Sequence, residues 1–133
     1  MIDFEPEVFT AVKTALVAAY PTITVESVPN YEPASFPFVC IEEADNYAYR
    51  SSQDTASNEN HVIVMYEITA YSNLQSGRKR ECRKIMSVCD GVMDSLGFSR
   101  SGLTPVSIDE GSKYRMVARY TAVISRNGII YRR

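Results

Sequence analysis

The sequence predicts a single α+β domain in which two helices pack on a mostly antiparallel sheet. The clearest support comes from residues 61–71, which alternate between apolar and other side chains with the two-residue period of a β-strand. Residues 76–96 follow directly and repeat apolar side chains at three- and four-residue steps, which is typical of a helix with one buried face. A chain of 133 residues is long enough to build one core of this kind.

Each of these two segments has an identifiable buried side. On the strand, Ile63 and Met65 indicate that the second face is partly covered as well. The cations of the helix fall outside its apolar arc, so its free side is basic. The residues assigned to the core are Val62, Val64, Tyr66, Ile68 and Ala70 on the strand and Cys82, Ile85, Met86, Cys89, Val92, Met93 and Leu96 on the helix.

A first helix is predicted over residues 5–19. Asp3 is suited to cap its start, Pro6 fits the first turn and Pro21 ends it. Its apolar side chains also recur at helical spacing and define a packing face. They are Phe4, Val8, Ala11, Val12, Ala15, Leu16 and Ala19.

The other strands are predicted from β-branched and aromatic runs that end at turn residues. The longest of them places its even-numbered residues, from Tyr114 to Ile124, on one face. Asn127-Gly128 is a dipeptide favoured in hairpin turns. The predicted strands are residues 22–28, 36–43, 103–109, 114–125 and 129–132.

Residues 45–60 form a polar, turn-rich interval between two predicted strands. The interval is either a mobile surface loop or the tip of two strands that extend into a hairpin arm. Loops of this length in a compact domain are often functional or disordered. The candidate residues of a flexible arm are Tyr47, Tyr49, Arg50, Asp54 and Glu59.

Composition and charge exclude several classes of protein. With 14 basic and 16 acidic residues, the formal net charge of −2 gives no field that draws the whole molecule to nucleic acid or an anionic membrane. Acids near the N-terminus are unlike a secretion signal, and no apolar run is long enough to span a bilayer. Three cysteines without C-x-x-C spacing argue against a disulfide framework and a zinc knuckle. We therefore expect a soluble, unexported protein in which Cys82 and Cys89 are buried as small hydrophobic residues.

The sequence offers little that resembles an active site. His61 is the only histidine and begins a strand beside polar residues, whereas acid–base or metal chemistry requires a positioned carboxylate or thiolate next to it. Glu42 and Glu43 are neighbours on a strand and point to opposite faces, so they do not converge on one metal. The glycine motifs of phosphate-binding loops, dinucleotide-binding folds and serine hydrolases do not occur. The chain is therefore predicted not to be an enzyme and to hold no cofactor or metal.

A basic run at the start of the second helix is the strongest remaining signal. Cations in the first turns oppose the helix macrodipole at a cost of a few tenths of a kcal/mol each. Three interpretations stay open for the run: contact with phosphates, contact with an acidic surface on a neighbouring subunit, and a plain solvated face. The run lacks interleaved aromatic residues, which argues against nucleic acid. Its cations are Arg78, Lys79, Arg80, Arg83 and Lys84.

Taken in order, the chain resembles the tail terminator (tail completion) proteins of long-tailed bacteriophages and prophages. The resemblance begins with a V-x-x-A-V-K-x-A-L helix that runs through Tyr-Pro into a T-I-T-V strand. It continues with F-P-F-V-C-I and its trailing acids, a strand ending in I-T-A-Y-S and a helix of the type R-K-I-M-x-x-x-D-x-V-M-D-x-L. A long final strand completes it. These pieces occupy residues 8–16, 20–25, 36–43, 68–72, 83–96 and 114–125.

The resemblance implies a structural protein and not an enzyme. Such proteins form a ring, usually hexameric, that caps the finished tail tube, ends its polymerisation and presents a surface for the connector of the head. The implied partners are further copies of the chain, the tail tube protein and the head–tail connector or stopper protein. The implied location is the neck of the virion, reached from the host cytoplasm during assembly, with DNA present only as the passing genome.

A ring requires different donor and acceptor patches on each subunit. The acids Glu42, Glu43 and Asp45 and the basic helix start are candidates for this pair of patches, a hypothesis from charge and not from the family. Two other classes stay open. One is a different neck component, such as a stopper or head-completion protein; the other is a small nucleic-acid-binding α+β domain that turns its basic helix towards phosphates.

Overall fold

The computed structural model describes residues 3–28, 35–48, 61–106, 114–125 and 130–132. Within these ranges the chain forms two helices and six strands, which confirms the predicted α+β class. The elements in chain order are α1 (Glu5–Ala19), β1 (Thr24–Glu26), β2 (Phe38–Ala48), β3 (His61–Ser72), α2 (Arg78–Leu96), β4 (Ser99–Val106), β5 (Tyr114–Ser125) and β6 (Ile130–Arg132).

Helix α1 has the predicted bounds, but its start differs in detail. The residue at the cap position is Phe4, whose side chain cannot accept a hydrogen bond. Asp3, predicted to be the cap, lies one residue earlier, where its Oδ1 accepts the backbone N–H of Glu5 at 3.2 Å. Pro6 stands in the first turn, where an amide hydrogen would have no partner within the helix.

Helix α2 begins at Arg78, slightly later than predicted, because Gly77 adopts a left-handed conformation. Its φ of 84° lies in a region that glycine enters at little cost. At the other end Gly97 is also left-handed, and the N–H of Phe98 donates to the carbonyl of Met93 at 2.9 Å. Neither described helix has the length and apolarity needed to cross a membrane.

The strands pair in the order β1-β2-β3-β5-β4, and β6 also pairs with β5. Among the described strands, β1 and β2 run parallel and every other pair is antiparallel, as predicted. The strand β3 pairs with one edge of β5. The other edge of β5 is therefore shared by β4 and β6, one after the other.

The hairpin of β2 and β3 extends beyond the predicted strand 36–43. A bulge between Glu43 and Asp45 shifts the register, after which residues 45–48 pair with residues 62–65. The first part of the polar interval is therefore strand, as the hairpin alternative predicted. Residues 49–60 lie outside the described residues.

Besides β2, which begins at Phe38 and not at residue 36, two other strands have bounds that were predicted wrongly. β4 begins at Ser99 and not at residue 103, because its polar first residues find backbone partners on β5, with Ser99 opposite Thr121. β1 covers three residues of the predicted 22–28, since its pairing with β2 ends at Glu26 opposite Cys40. Residues 107–109 lie outside the described ranges.

Both helices lie on one face of the sheet and pack against each other. That face consists of the even-numbered residues of β3 and β5, as predicted. Tyr66 and Phe98 meet edge to face there, with ring centroids 5.4 Å apart. Full burial of a side chain of this kind stabilises the fold by about 1.5–3 kcal/mol. The buried helix residues are Val8, Val12 and Leu16 of α1 and Cys82, Ile85, Met86, Cys89 and Met93 of α2.

The margin of this core differs slightly from the prediction. Val92 and Leu96 are partly buried against the core, as is Phe4. Ala19, predicted to belong to the packing face, is exposed because α1 ends there. The opposite face of the sheet holds a smaller buried cluster of Phe38, Cys40 and Tyr71.

Candidate functional site

The connection between β3 and α2 forms one wall of a groove. Ser72 is fully buried and donates from its hydroxyl to Oε1 of Glu81 at 2.7 Å, so this acid of the first turns is turned towards the protein. The backbone N–H of Leu74 donates to Oγ of Ser72 at 3.4 Å. Arg78 donates from Nη1 to the carbonyl of Leu74 at 2.9 Å. These contacts fix the path from strand to helix.

We name this depression the basic groove. It lies between the connection, the end of α1 and the outer side of α2, and has a volume of about 990 Å³. Leu74, which is 42% exposed, and Tyr20 add apolar surface to it. The lining residues are Tyr20, Leu74, Ser76, Gly77, Lys79, Arg80, Glu81, Arg83, Lys84 and Ser87.

Four cations of the basic groove are exposed and lack an ionic partner in the described part of the chain. They are Lys79, Arg80, Arg83 and Lys84. They lie on the first turns of α2, where the helix dipole is itself positive. The basic groove therefore carries more positive than negative charge and attracts anions, although Glu81, which accepts the hydroxyl of Ser72, offsets part of that charge.

Three carboxylates form an acidic cluster at the start of α1. Oxygen atoms of Asp3, Glu5 and Glu43 lie within 4.8 Å of one another. Asp3 is exposed and the other two are partly buried. Carboxylates at this spacing can hold a hard cation, but exposed acidic groups are common where no ion binds. We therefore assign no metal to the acidic cluster.

Glu43 is fixed by hydrogen bonds from the sheet. Its Oε1 accepts the hydroxyl of Tyr66 at 3.1 Å and Nδ2 of Asn46 at 3.2 Å. Burial raises the pKa of Glu43 above its ordinary 4.5, the two hydrogen bonds oppose that shift, and the charges of Glu5 and Asp3 add to it. Burial likewise raises the pKa of Tyr66, so its hydroxyl stays a donor.

The two helices place the basic groove and the acidic cluster at opposite ends of one layer. Tyr20, after α1, lies close enough to Glu81 on α2 for burial and then the charge of Glu81 to raise the pKa of Tyr20. At the other end, Tyr66 contacts Glu43 near the start of α1 and Phe98 after α2. The helices are therefore antiparallel. The 15 residues of α1 separate the acidic cluster from the basic groove by about 22 Å.

The structure separates the three acids that were proposed as one interface patch. Glu42 faces away from the helices opposite Glu67, and burial followed by the charge of Glu67 raises the pKa of Glu42. Glu43 faces the helices, so the predicted opposite orientation of the two neighbours is confirmed. Asp45 lies beyond the bulge, exposed, and accepts the N–H of Asn46 at 2.9 Å. Of the three, Glu43 is the member of the acidic cluster.

Elsewhere in the described residues, the cysteine and histidine side chains are fully or partly buried. Cys40, Cys82 and Cys89 are free and buried, as predicted for the last two. Burial raises the pKa of each thiol to about 12, so all three stay protonated at neutral pH and are poor nucleophiles. His61 begins β3 as predicted and is partly buried.

Sequence reasoning missed several residues of these two surfaces, of which four are the most informative. Asp3 and Glu5 were visible as acids near the N-terminus, but no local pattern links them to Glu43 on β2. Tyr20 and Leu74 border the basic groove through the packing of α1 beside α2. The available signals in the sequence were a tyrosine directly after a predicted helix and a leucine in the polar stretch directly before one.

The predicted flexible arm falls mostly outside the described residues. Of Tyr47, the structure gives the backbone, which is paired with Ile63. The remaining candidates, Tyr49, Arg50, Asp54 and Glu59, lie beyond the described ranges.

Comparisons with known proteins do not assign the chain to a family: no family model matches it, and no curated protein matches it significantly. What the protein does is therefore inferred from its sequence pattern together with the basic groove and the acidic cluster.

Proposed function

We propose that this protein is a tail terminator of a bacteriophage neck. It forms a ring that caps the tail tube, ends the polymerisation of the tube and presents a surface for head–tail joining. Its partners are further copies of the chain, the tail tube protein and the connector or stopper protein. It assembles in the host cytoplasm and remains in the virion, where DNA passes through the ring.

The main support is the position of the motifs that resemble this family. The motif at residues 8–16 lies in α1, the motif at 36–43 leads into β2, and the I-T-A-Y-S motif ends β3. Residues 83–96 form most of α2, and residues 114–125 are β5. The resemblance therefore involves the helices and strands of the framework, in the same order, more than the segments that connect them.

The charged surfaces also suit a ring. A cyclic assembly of identical subunits needs two different surfaces on each subunit that fit each other. The basic groove and the acidic cluster have opposite charge and lie at opposite ends of the helix layer. Such an arrangement favours contact with a neighbouring copy that is oriented the same way.

Disruption of the gene in its phage tests the proposal. Tails should then be overlong or unable to join heads, because nothing stops tube polymerisation or offers the joining surface. Tail lengths in electron micrographs give the measurement, and a wild-type copy supplied in trans is the control that should restore normal tails. Tails of normal length joined to heads would contradict the proposal.

A different neck component is distinguished by the same experiment. Overlong tails would support the terminator itself, whereas unjoined tails of normal length would assign the chain to a stopper or head-completion protein, because the tube would then still be capped.

A second candidate function, binding of nucleic-acid phosphates, is favoured by the four exposed cations of the basic groove. Under this alternative the protein should retard DNA on a gel with a steep salt dependence. The tail terminator proposal expects no such retardation at physiological salt.

A further inference from the structure

Helix α2 has cations near its start and acids near its end, the opposite of the distribution that a helix macrodipole favours. Lys79 and Arg80 stand in its first turn, Asp90 and Asp94 lie towards its end, and its last turn holds no basic residue. Each misplaced surface charge costs about 0.3–1 kcal/mol. Asp90 recovers part of this cost because it accepts the hydroxyl of Tyr120 at 3.1 Å. Glu81, an acid in the first turn, offsets part of the cost of the cations, but the four exposed cations have no ionic partner in the described part of the chain.

The residues that line the basic groove determine which kind of group can bind there. Tyr20 and Leu74 present apolar surface beside the cations. A purely apolar segment would leave Arg80 and Arg83 desolvated without partners, which is costly. A phosphate backbone would satisfy the cations and leave the apolar surface unused. The best occupant therefore combines carboxylates with apolar groups.

The start of α1 has this combination. Asp3, Glu5 and Glu43 supply carboxylates within 4.8 Å of one another. Phe4, partly buried, and Pro6, exposed, supply apolar groups beside them. The carboxylates repel each other in the isolated subunit, and cations from outside would remove that repulsion.

The acidic cluster cannot enter the basic groove of its own subunit. The helix α1 joins the two and holds them about 22 Å apart. If the two surfaces meet, they do so between copies. Contact between copies also explains why both surfaces occur in one chain, which a nucleic-acid ligand for the basic groove alone does not.

We infer that the acidic cluster of one subunit docks into the basic groove of the next copy, a contact that rests on the proposed ring and specifies its interface. The contact is head-to-tail, since each subunit offers its basic groove to one neighbour and its acidic cluster to the other. An open row of subunits keeps one unused basic groove and one unused acidic cluster until it closes.

Reciprocal charge reversal in the full chain tests this contact. Arg80→Glu with Arg83→Glu makes the groove acidic, and Asp3→Lys with Glu5→Lys makes the cluster basic. Each double variant should raise the concentration for half assembly by about 100-fold or more, because like charges then face each other. The quadruple variant restores complementarity and should assemble near the wild-type concentration. Sedimentation velocity over a concentration series measures all four proteins.

Two control variants change charge elsewhere. Lys13→Glu in the middle of α1 and Glu26→Lys at the end of β1 alter exposed positions outside both surfaces and should leave assembly unchanged. Circular dichroism and thermal unfolding establish that every variant is folded before its assembly is compared.

Four results would overturn the docking contact. They are folded double variants that assemble like the wild type, a quadruple variant that stays monomeric, a wild type that stays monomeric throughout the series, and a wild type that stops at a dimer. Retardation of DNA that is lost in Arg80→Glu with Arg83→Glu would assign the basic groove to nucleic acid instead. The proposed function fails separately, through normal tails in the gene-disrupted phage, whatever the charge variants do.

Discussion

The two helices lie side by side on one face of the sheet, but they carry charge in opposite arrangements. Helix α1 has Glu5 and Glu7 in its first turn, where the dipole favours acids. Helix α2 has Lys79 and Arg80 in the same part of its own length, next to a single acid, Glu81. Both helices bury an apolar arc, so packing does not require the difference. The buried arcs specify the fold, whereas the exposed cations of α2 form the charged surface that we propose meets another copy of the chain.

The largest expected effect comes from a mutation in the feature that the two helices share, a buried apolar arc. Ile85 on the buried arc of α2 is fully enclosed, and Ile85→Ala should destabilise the subunit by roughly 2–5 kcal/mol through lost burial and a cavity. Lys84→Ala, at the adjacent exposed position, is the matched control and should be nearly neutral. Urea denaturation measures both. Equal losses of stability would show that the buried arc is assigned wrongly.

A smaller effect tests the difference in charge between the first turns of the two helices. Lys79→Glu should stabilise the isolated subunit by about 0.3–1 kcal/mol at low salt, because it places an acid at the positive end of α2. Glu7→Lys makes the mirror change in α1 and should destabilise by a similar amount. Thermal unfolding of monomeric samples measures the pair. If both variants lose stability, the charges of α2 serve the subunit itself and the comparison fails.

The smallest effect concerns the acidic cluster and appears as a dependence on pH. Burial raises the pKa of Glu43 above 4.5 in the folded subunit, so the folded state holds this proton more tightly than the unfolded state. The resulting stability is fully present below the ordinary glutamate pKa and is lost as the pH rises through the raised value. The other groups that face Glu43 are Tyr66, Asn46, Asp3 and Glu5.

Glu43→Gln should therefore remove one component of the loss of stability with rising pH. The amide oxygen of glutamine can still accept the hydroxyl of Tyr66, which keeps the packing comparable. Urea denaturation of both proteins from pH 4 to pH 8 tests this expectation. Identical slopes for wild type and variant would mean that Glu43 titrates alike in the folded and unfolded chains.

Local periodicity was sufficient to predict most of the framework. The apolar steps at Cys82, Ile85 and Cys89 mark the face that α2 buries, because a helix presents every third or fourth residue to the same side. Alternation marks the buried face of β3 in the same way. In both cases the residues that define the element are also the residues that it buries.

Features that depend on distant pairing could not be predicted. Ser99 is polar and becomes strand because β5 offers it backbone partners. The acidic cluster brings Glu5 on α1 next to Glu43 on β2, and the basic groove brings Tyr20 next to the start of α2. These contacts exist only after the helices have packed on the sheet, so no window of the sequence contains them.

The central claim is that this protein works as a closed ring, and native mass spectrometry over a range of protein concentrations tests it most directly. We predict that monomer gives way to one discrete oligomer without a ladder of larger species, because a head-to-tail contact is satisfied on every subunit only when the ring closes. Monomer at every concentration, or a series of sizes that keeps growing, would contradict the claim.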